Sequence, residues 1–201
     1  MSSRQKILAT IRSCTLAPAA LPDLAQSWIA YDDRCKQFAE VLQSVGGKCV
    51  FVDRRDQIAA AFADHPALAS AKKIVSHVPE AAGNLDLDSV ADPHDLEDVD
   101  FAILPGQFGV AENGAIWTTD RGLKHRAIYF IVQHLVLVLD ADQIVNNMHE
   151  AYLRLKFEGR GFGAFISGPS KTADIEQSLV IGAHGPRSLT VVCIGPRASG
   201  S

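Results

Sequence analysis

A succession of short, unbroken apolar runs limits most tightly what this chain can fold into. Cys49–Val52, Phe101–Leu104, Leu135–Leu139, Ala164–Ser167 and Leu189–Ile194 are each of strand length. None shows the apolar–polar alternation of a strand with one wet face, so each reads as a strand covered on both sides. Ile74–Val75 is a shorter strand of the same kind. Segments of helical spacing lie between the runs, and that alternation argues an α/β domain with a largely parallel sheet. The apolar runs are too short to cross a bilayer.

The intervening segments can be placed from caps and breakers. Ser2–Cys14 carries Ile7, Leu8 and Ile11 on one face, with Ser2 or Ser3 as N-cap, and the PAALP segment Pro18–Pro22 makes a linker after it. Tyr31, Cys35, Phe38, Leu42 and Val45 recur at helical spacing, which predicts a helix over about Ser27–Val45 closed by Gly46-Gly47. Asp53 can cap a helix over Arg55–Ala63, and Asp140 or Asp142 a helix running to about Phe157. Asp86–Asp100 reads as acidic loop, Gly159–Gly163 as a hinge, and Gly168–Thr172 as a turn opening a helix over Ala173–Ile181. The expected organisation is a helix and linker over 1–26, one α/β domain over 27–195 and a disordered tail over 196–201.

Charge and cysteine usage narrow the function classes. The net charge of −4 gives no basic face for nucleic acid. The N-terminus lacks a continuous apolar stretch of the secretory kind, so the expected location is cytoplasmic. Cys14, Cys35, Cys49 and Cys193 include no close pair, so no iron–sulfur cluster or structural zinc is expected on this chain. His134, His149 and His184 lack the spacing of a metal site on a helix face, and no metal is assigned.

Two stretches carry candidate chemistry. In PGQFGVAENGAIWTTD, Asn113-Gly114 marks a sharp reversal, which puts Glu112 at the lip of a turn, either as a surface carboxylate or as a site residue. In GPSKTADIE, Ser170, Lys171 and Thr172 present two hydroxyls and an ammonium beside the free N–H groups of a helix start, a setting for a phosphate or carboxylate. A plain cap, with Asp174 and Glu176 facing the helix dipole, is the competing reading. Trp117 is a candidate pocket wall or core residue.

Three segments together, VAENGAIWTTD, HLVLVLDADQIV and above all GPSKTADIEQSLVIGAHGPRSL, resemble the LUD (lactate-utilisation) domain family, most closely its lactate utilization protein C type. The likeness spans roughly Val45–Ile194. It implies a three-layer α/β fold of the NagB/RpiA/CoA-transferase kind, with helices on both faces of the sheet. It also implies a role in oxidising L-lactate to pyruvate beside iron–sulfur partner subunits, the chain itself holding no cofactor and acting, if catalytic, only within that assembly. Glu112, Asn113 and Gly114 would form one wall of a pocket for a small carboxylate or phosphate-bearing ligand. Ser170, Lys171, Thr172 and Asp174 would form the other, with His184 near the rim. A homo-oligomer stays open. Asn113 stands where the family commonly has Thr, and AENG is thereby similar to the S-E-N-G signature of family I CoA-transferases. That likeness implies Glu112 as an acyl-transfer nucleophile, while a non-catalytic ligand-binding or scaffold subunit is the third reading.

Overall fold

The computed structural model describes residues 2–14, 19–24, 26–155, 161–172 and 179–196. Five of the expected strands form one wholly parallel sheet: β1 (Lys48–Val52), β2 (Ile74–Ser76), β3 (Phe101–Pro105), β6 (His134–Asp140) and β11 (Ser188–Ile194), in the order β1-β11-β6-β3-β2. Its two faces are both dry, as the unbroken apolar runs require. Ala102, Leu104, Leu135, Leu137, Leu139, Leu189, Val191 and Cys193 point into one core, and Phe101, Ile103, Val136, Val138, Val192 and Ile194 into another. The protein is an α/β fold around a parallel sheet.

The first core is closed by α2 (Arg34–Ser44), which buries Cys35, Phe38 and Leu42. This helix starts seven residues later than the apolar spacing predicts. The Asp33 side chain accepts from Lys36 N and caps it there, and the segment before it is held elsewhere. Asn147 Nδ2 donates to Ile29 O (2.7 Å), Tyr31 N donates to Asn146 Oδ1 (3.0 Å), and Trp28 stacks on His149 with centroids 3.4 Å apart. The helix ends as Gly46-Gly47 predicts. Gly46 N donates to Gln43 O, Gly47 N to Leu42 O, and Gly46 takes φ +87°, a double closure that satisfies the last carbonyls.

The second core is covered by shorter elements. The helix expected over Arg55–Ala63 is two 3₁₀ turns, Arg55–Gln57 and Ala59–Phe62, and Asp53 caps neither. Gln57 Oε1 instead takes the N–H groups of Asp53 and Arg54 (3.0 and 3.1 Å), while Ile58 and Phe62 supply the apolar contact. α1 (Ser3–Ser13) forms with Ser2 as its cap, and none of its residues is buried.

A second, four-stranded sheet was not anticipated. β4 (Phe108–Val110), β5 (Ala115–Thr119), β7 (Ile144–Val145) and β8 (Gly163–Ile166) are ordered β7-β4-β5-β8. β4 and β5 pair as an antiparallel hairpin, and β8 pairs antiparallel to β5, so the expected strand at Ala164–Ser167 belongs here and not to the parallel sheet. β7 occupies the start of the helix expected after Asp140. Its β-branched pair Ile144-Val145 bonds to β4, and α4 (Met148–Arg154) begins only where Asn147 can accept from Glu150 N. The end of that expected helix, the first residues of the expected hinge and most of the expected tail lie outside the described residues. α3 (Ile128–Ile131) is anchored by Tyr129, whose buried hydroxyl donates to Thr119 O (3.1 Å); burial pushes this phenol up to about 12.

The amino edge of the parallel sheet holds a relay of three side chains. Ala67 N donates to His65 Nδ1 (3.3 Å), which leaves the proton of that ring on Nε2, facing Ser188 Oγ at 3.2 Å. The Ser188 hydroxyl then donates to His134 Nδ1 (2.8 Å). Burial holds both imidazoles below their ordinary range, and the charges of Lys48 on His65 and Arg187 on His134 push the same way against Asp64 and Asp100. Below roughly pH 6.5 the unfolded chain therefore takes up protons that the folded relay resists, and stability falls with pH. Chemical denaturation between about pH 8 and about pH 5 is expected to show a smaller loss in the His65→Gln/His134→Gln variant than in the native protein. That comparison separates the relay from exposed His94, which Asp92 shifts in the opposite direction.

Candidate functional site

The AENG turn forms as a tight reversal between β4 and β5. Gly114 N donates to Val110 O (2.9 Å), the Asn113 side chain accepts from Ala115 N (3.0 Å), and Gly114 takes φ +64°. A Cβ at Gly114 would lie 2.9 Å from Leu42 N and 3.0 Å from Leu42 Cα, so the turn rests directly on the backbone of α2. Glu112 is exposed, and its carboxylate is engaged: Oε2 accepts from Met148 N (2.9 Å), the first residue of α4. A carboxylate there satisfies an orphan donor and faces the positive end of the helix. The Glu112 backbone N–H donates to Asn146 O (3.0 Å), so the residue ties the turn to the start of α4 at two points.

The GPSKT segment meets α2 about one turn beyond the contact with Leu42. Gly168 has φ +72°, and a Cβ on it would come within 2.6 Å of Val45 O. Ser167 Oγ donates to Asn113 O (2.8 Å), which joins the two stretches picked out from sequence. Lys171-Thr172 is strand β9, paired antiparallel with β10 (Val180–Ile181), in place of the expected helix start and the end of the expected helix. Ser170 N is taken by Pro186 O (2.8 Å) and Gly182 N donates to Ser170 O (2.9 Å), so ribbon and loop close on each other. Asp174 and the body of the expected helix lie outside the described residues. Lys171 and His184 are exposed, and Gly185 packs on Ser170 and on Phe130 O. The structure thus brings Asn113 and Gly114 to Ser167–Gly168, while Glu112 turns toward α4.

The apolar patterns hide a second place. A cavity of about 160 Å³ opens at the carboxyl edge of the parallel sheet, the edge where open α/β sheets place ligands. All five strands contribute to it through the residues that end them or follow them: Arg55 after β1, His77 and Glu80 after β2, Gly106 and Gln107 after β3, Asp140 ending β6 and Ile194 ending β11. Arg55 reaches Asp140 Oδ1 at 2.9 Å and Glu80 Oε1 at 4.0 Å. Glu80 Oε2 is buried and accepts no hydrogen bond among the described residues. Its neighbours give one guanidinium against two carboxylates. Sequence alone could have marked these residues only as polar positions directly behind each apolar run.

Among the described residues, no group of three or more His, Cys, Asp or Glu side chains is gathered closely enough to hold an ion. His134 is taken by the relay and His149 by Trp28. Cys49 and Cys193 meet at 3.8 Å beneath α2, and the hydrogen bond with the Cys49 thiol, followed by burial, raises the Cys193 thiol well above its ordinary range.

The model of the LUD domain matches residues 45–194, three quarters of the sequence. The chain belongs to the LUD domain family. Its likeness to a crystal structure of a DUF162 family protein from Deinococcus radiodurans, with a TM-score of 0.62 at 24% identity, covers 81% of this chain and 96% of that one and bears on the fold alone. Uncharacterized protein NMB1437 of Neisseria meningitidis is 24% identical over 98% of this LUD protein and 95% of its own length. Lactate utilization protein C of Bacillus pumilus is 33% identical over 45% of the chain, and that of Shouchella clausii 34% over 49%. These two matches span 40% and 45% of the relatives' own lengths, less than half of each.

In this LUD domain the AENG and GPSKT turns act first as packing devices, and their energetics are separable. Glu112→Ala is expected to lower stability by on the order of 1 kcal/mol, the scale of a lost helix cap. Gly114→Ala is expected to cost more, roughly 2 kcal/mol or above, because it combines a strained φ with a backbone clash. Thermal unfolding of the two variants side by side measures the order, and a Glu112→Ala loss exceeding that of Gly114→Ala refutes it.

Proposed function

We propose that this LUD domain protein works in lactate utilisation, as a component of a system that oxidises L-lactate to pyruvate. The likeness to proteins named lactate utilization protein C carries the reading. The reaction releases two electrons and two protons per lactate, and the proposal assigns the electrons to iron–sulfur clusters on partner subunits. The thiols of this chain support that division of labour. Cys14 is exposed just after α1, while Cys35, Cys49 and Cys193 are built into the core around α2 and β1.

The ligand contact is assigned to the surface where the AENG turn joins the GPSKT segment. Asn113 and Gly114 form one side, Ser170, Lys171 and Thr172 the other, with Asp174 two residues beyond Thr172 in sequence and His184 at the rim. The Ser167–Asn113 hydrogen bond and the exposed ammonium of Lys171 support it, since an exposed cation can take a small carboxylate or phosphate. Glu112 is not needed as a nucleophile here; its hydrogen bond to Met148 N favours a holding role.

The test is growth. A bacterial strain lacking its own lactate utilization protein C, with the partner genes intact, is expected to regain growth on L-lactate when it expresses this chain, and to regain it poorly with Lys171→Ala. Well-expressed, folded protein that leaves the strain unable to use lactate overturns the role. Equal rescue by Lys171→Ala leaves the role standing and removes the ligand contact.

A further inference from the structure

The cavity at the carboxyl edge of the parallel sheet has chemistry that the lactate role does not use. Its polar lining is rich in acceptors. Among the described residues Glu80 Oε2 is buried without a donor, and the Asp140 carboxylate is held through one oxygen by Arg55. Gln107 stands exposed at the mouth. Val138, Leu139 and Ile194 add apolar surface. A buried carboxylate oxygen with no donor is costly, and a ligand O–H relieves that cost where an apolar ligand cannot.

Charge then decides between ligand classes. One guanidinium against the Glu80 and Asp140 carboxylates gives the lining more acidic than basic side chains, an arrangement that disfavours carboxylates and phosphates. The Arg55 guanidinium between the two acids, 2.9 Å from one and 4.0 Å from the other, occupies the position a divalent cation would need. A neutral ligand with hydroxyl donors meets neither objection. Two carboxylates in one lining offer acceptors to more than one hydroxyl of the same ligand, the way an acidic residue takes a ribose hydroxyl in dinucleotide sites. Size agrees, since a protein cavity of about 150 Å³ admits a six-membered ring.

We propose that this cavity binds a small neutral ring carrying adjacent hydroxyl groups, with Glu80 and Asp140 accepting from the hydroxyls and the apolar lining covering a ring face. Asp140 keeps its ion pair with Arg55 and uses its other oxygen. Glu80 turns its unsatisfied oxygen from the wall to the ligand.

Ligand-observed saturation-transfer NMR on the full chain tests this with cis-1,2-cyclohexanediol and D-ribose as probes. Cyclohexanol, L-lactate and Mg²⁺ serve as comparisons, the last by competition with the diol. Both diols are expected to give a saturable signal, at least tenfold stronger in affinity than cyclohexanol or lactate, and unaffected by Mg²⁺. Glu80→Ala is expected to weaken diol binding at least tenfold while keeping or raising the melting temperature, because it removes an unsatisfied buried oxygen. Asp140→Asn is a second variant that keeps the shape of the wall, and it too is expected to weaken the diols. No saturable diol signal, tighter binding of lactate, displacement by Mg²⁺, or unchanged affinity in both variants overturns the proposal. None of these outcomes bears on growth on lactate.

Discussion

Burial of β6 on both faces is the constraint on which the rest of the structure depends. Its residues Leu135 to Leu139 are all buried, alternate ones facing opposite cores, between β3 on one side and β11 on the other. A strand in that position has no wet face, so both sides of the sheet must be roofed, and here both of its neighbours pair with it in parallel. Burying five large aliphatic side chains contributes about 1.5–3 kcal/mol each before the entropy of ordering the chain is set against it. α2 roofs one side and the turns carrying Ile58 and Phe62 the other.

The carboxyl end of α2 is where the segments most distinctive in sequence converge. Gly46 and Gly47 end the helix, Gly114 rests on Leu42, and Gly168 rests on Val45. Side chains at the last two positions would strike helix backbone, which can yield little. Motif-like spacing in AENG and GPS therefore has a packing origin here: two loops from distant parts of the chain must approach one helix at backbone distance. Their junction through Ser167 and Asn113 makes them one surface, and function attributed to either belongs to both.

The parallel strands were legible because their apolar runs are unbroken, and the close of α2 because Gly46-Gly47 has few other uses. The second sheet was not legible. β4 and β7 are three and two residues long, and their pairing is a long-range event that leaves no periodicity. The apolar spacing places the start of α2 too early because Tyr31 fits its stripe, yet Asn146 and Asn147, more than 100 residues away in sequence, hold that stretch outside the helix. Helix propensity is a weak prior against such tertiary bonds. Glu112 was correctly placed at a turn, but its partner Met148 could not be known before α4 was placed.

By itself the sequence determined the class of fold, because strands without a polar face that alternate with helical segments call for a covered, largely parallel sheet. It also determined the family, because GPSKTADIE and its flanks are long enough to be specific. Tertiary structure alone decided where the polar groups gather. Arg55, Glu80 and Asp140 are far apart in the chain, and nothing local distinguishes them from surface charges. They share one cavity because parallel strands all point their ends the same way, so the residues behind separate runs arrive at a single edge.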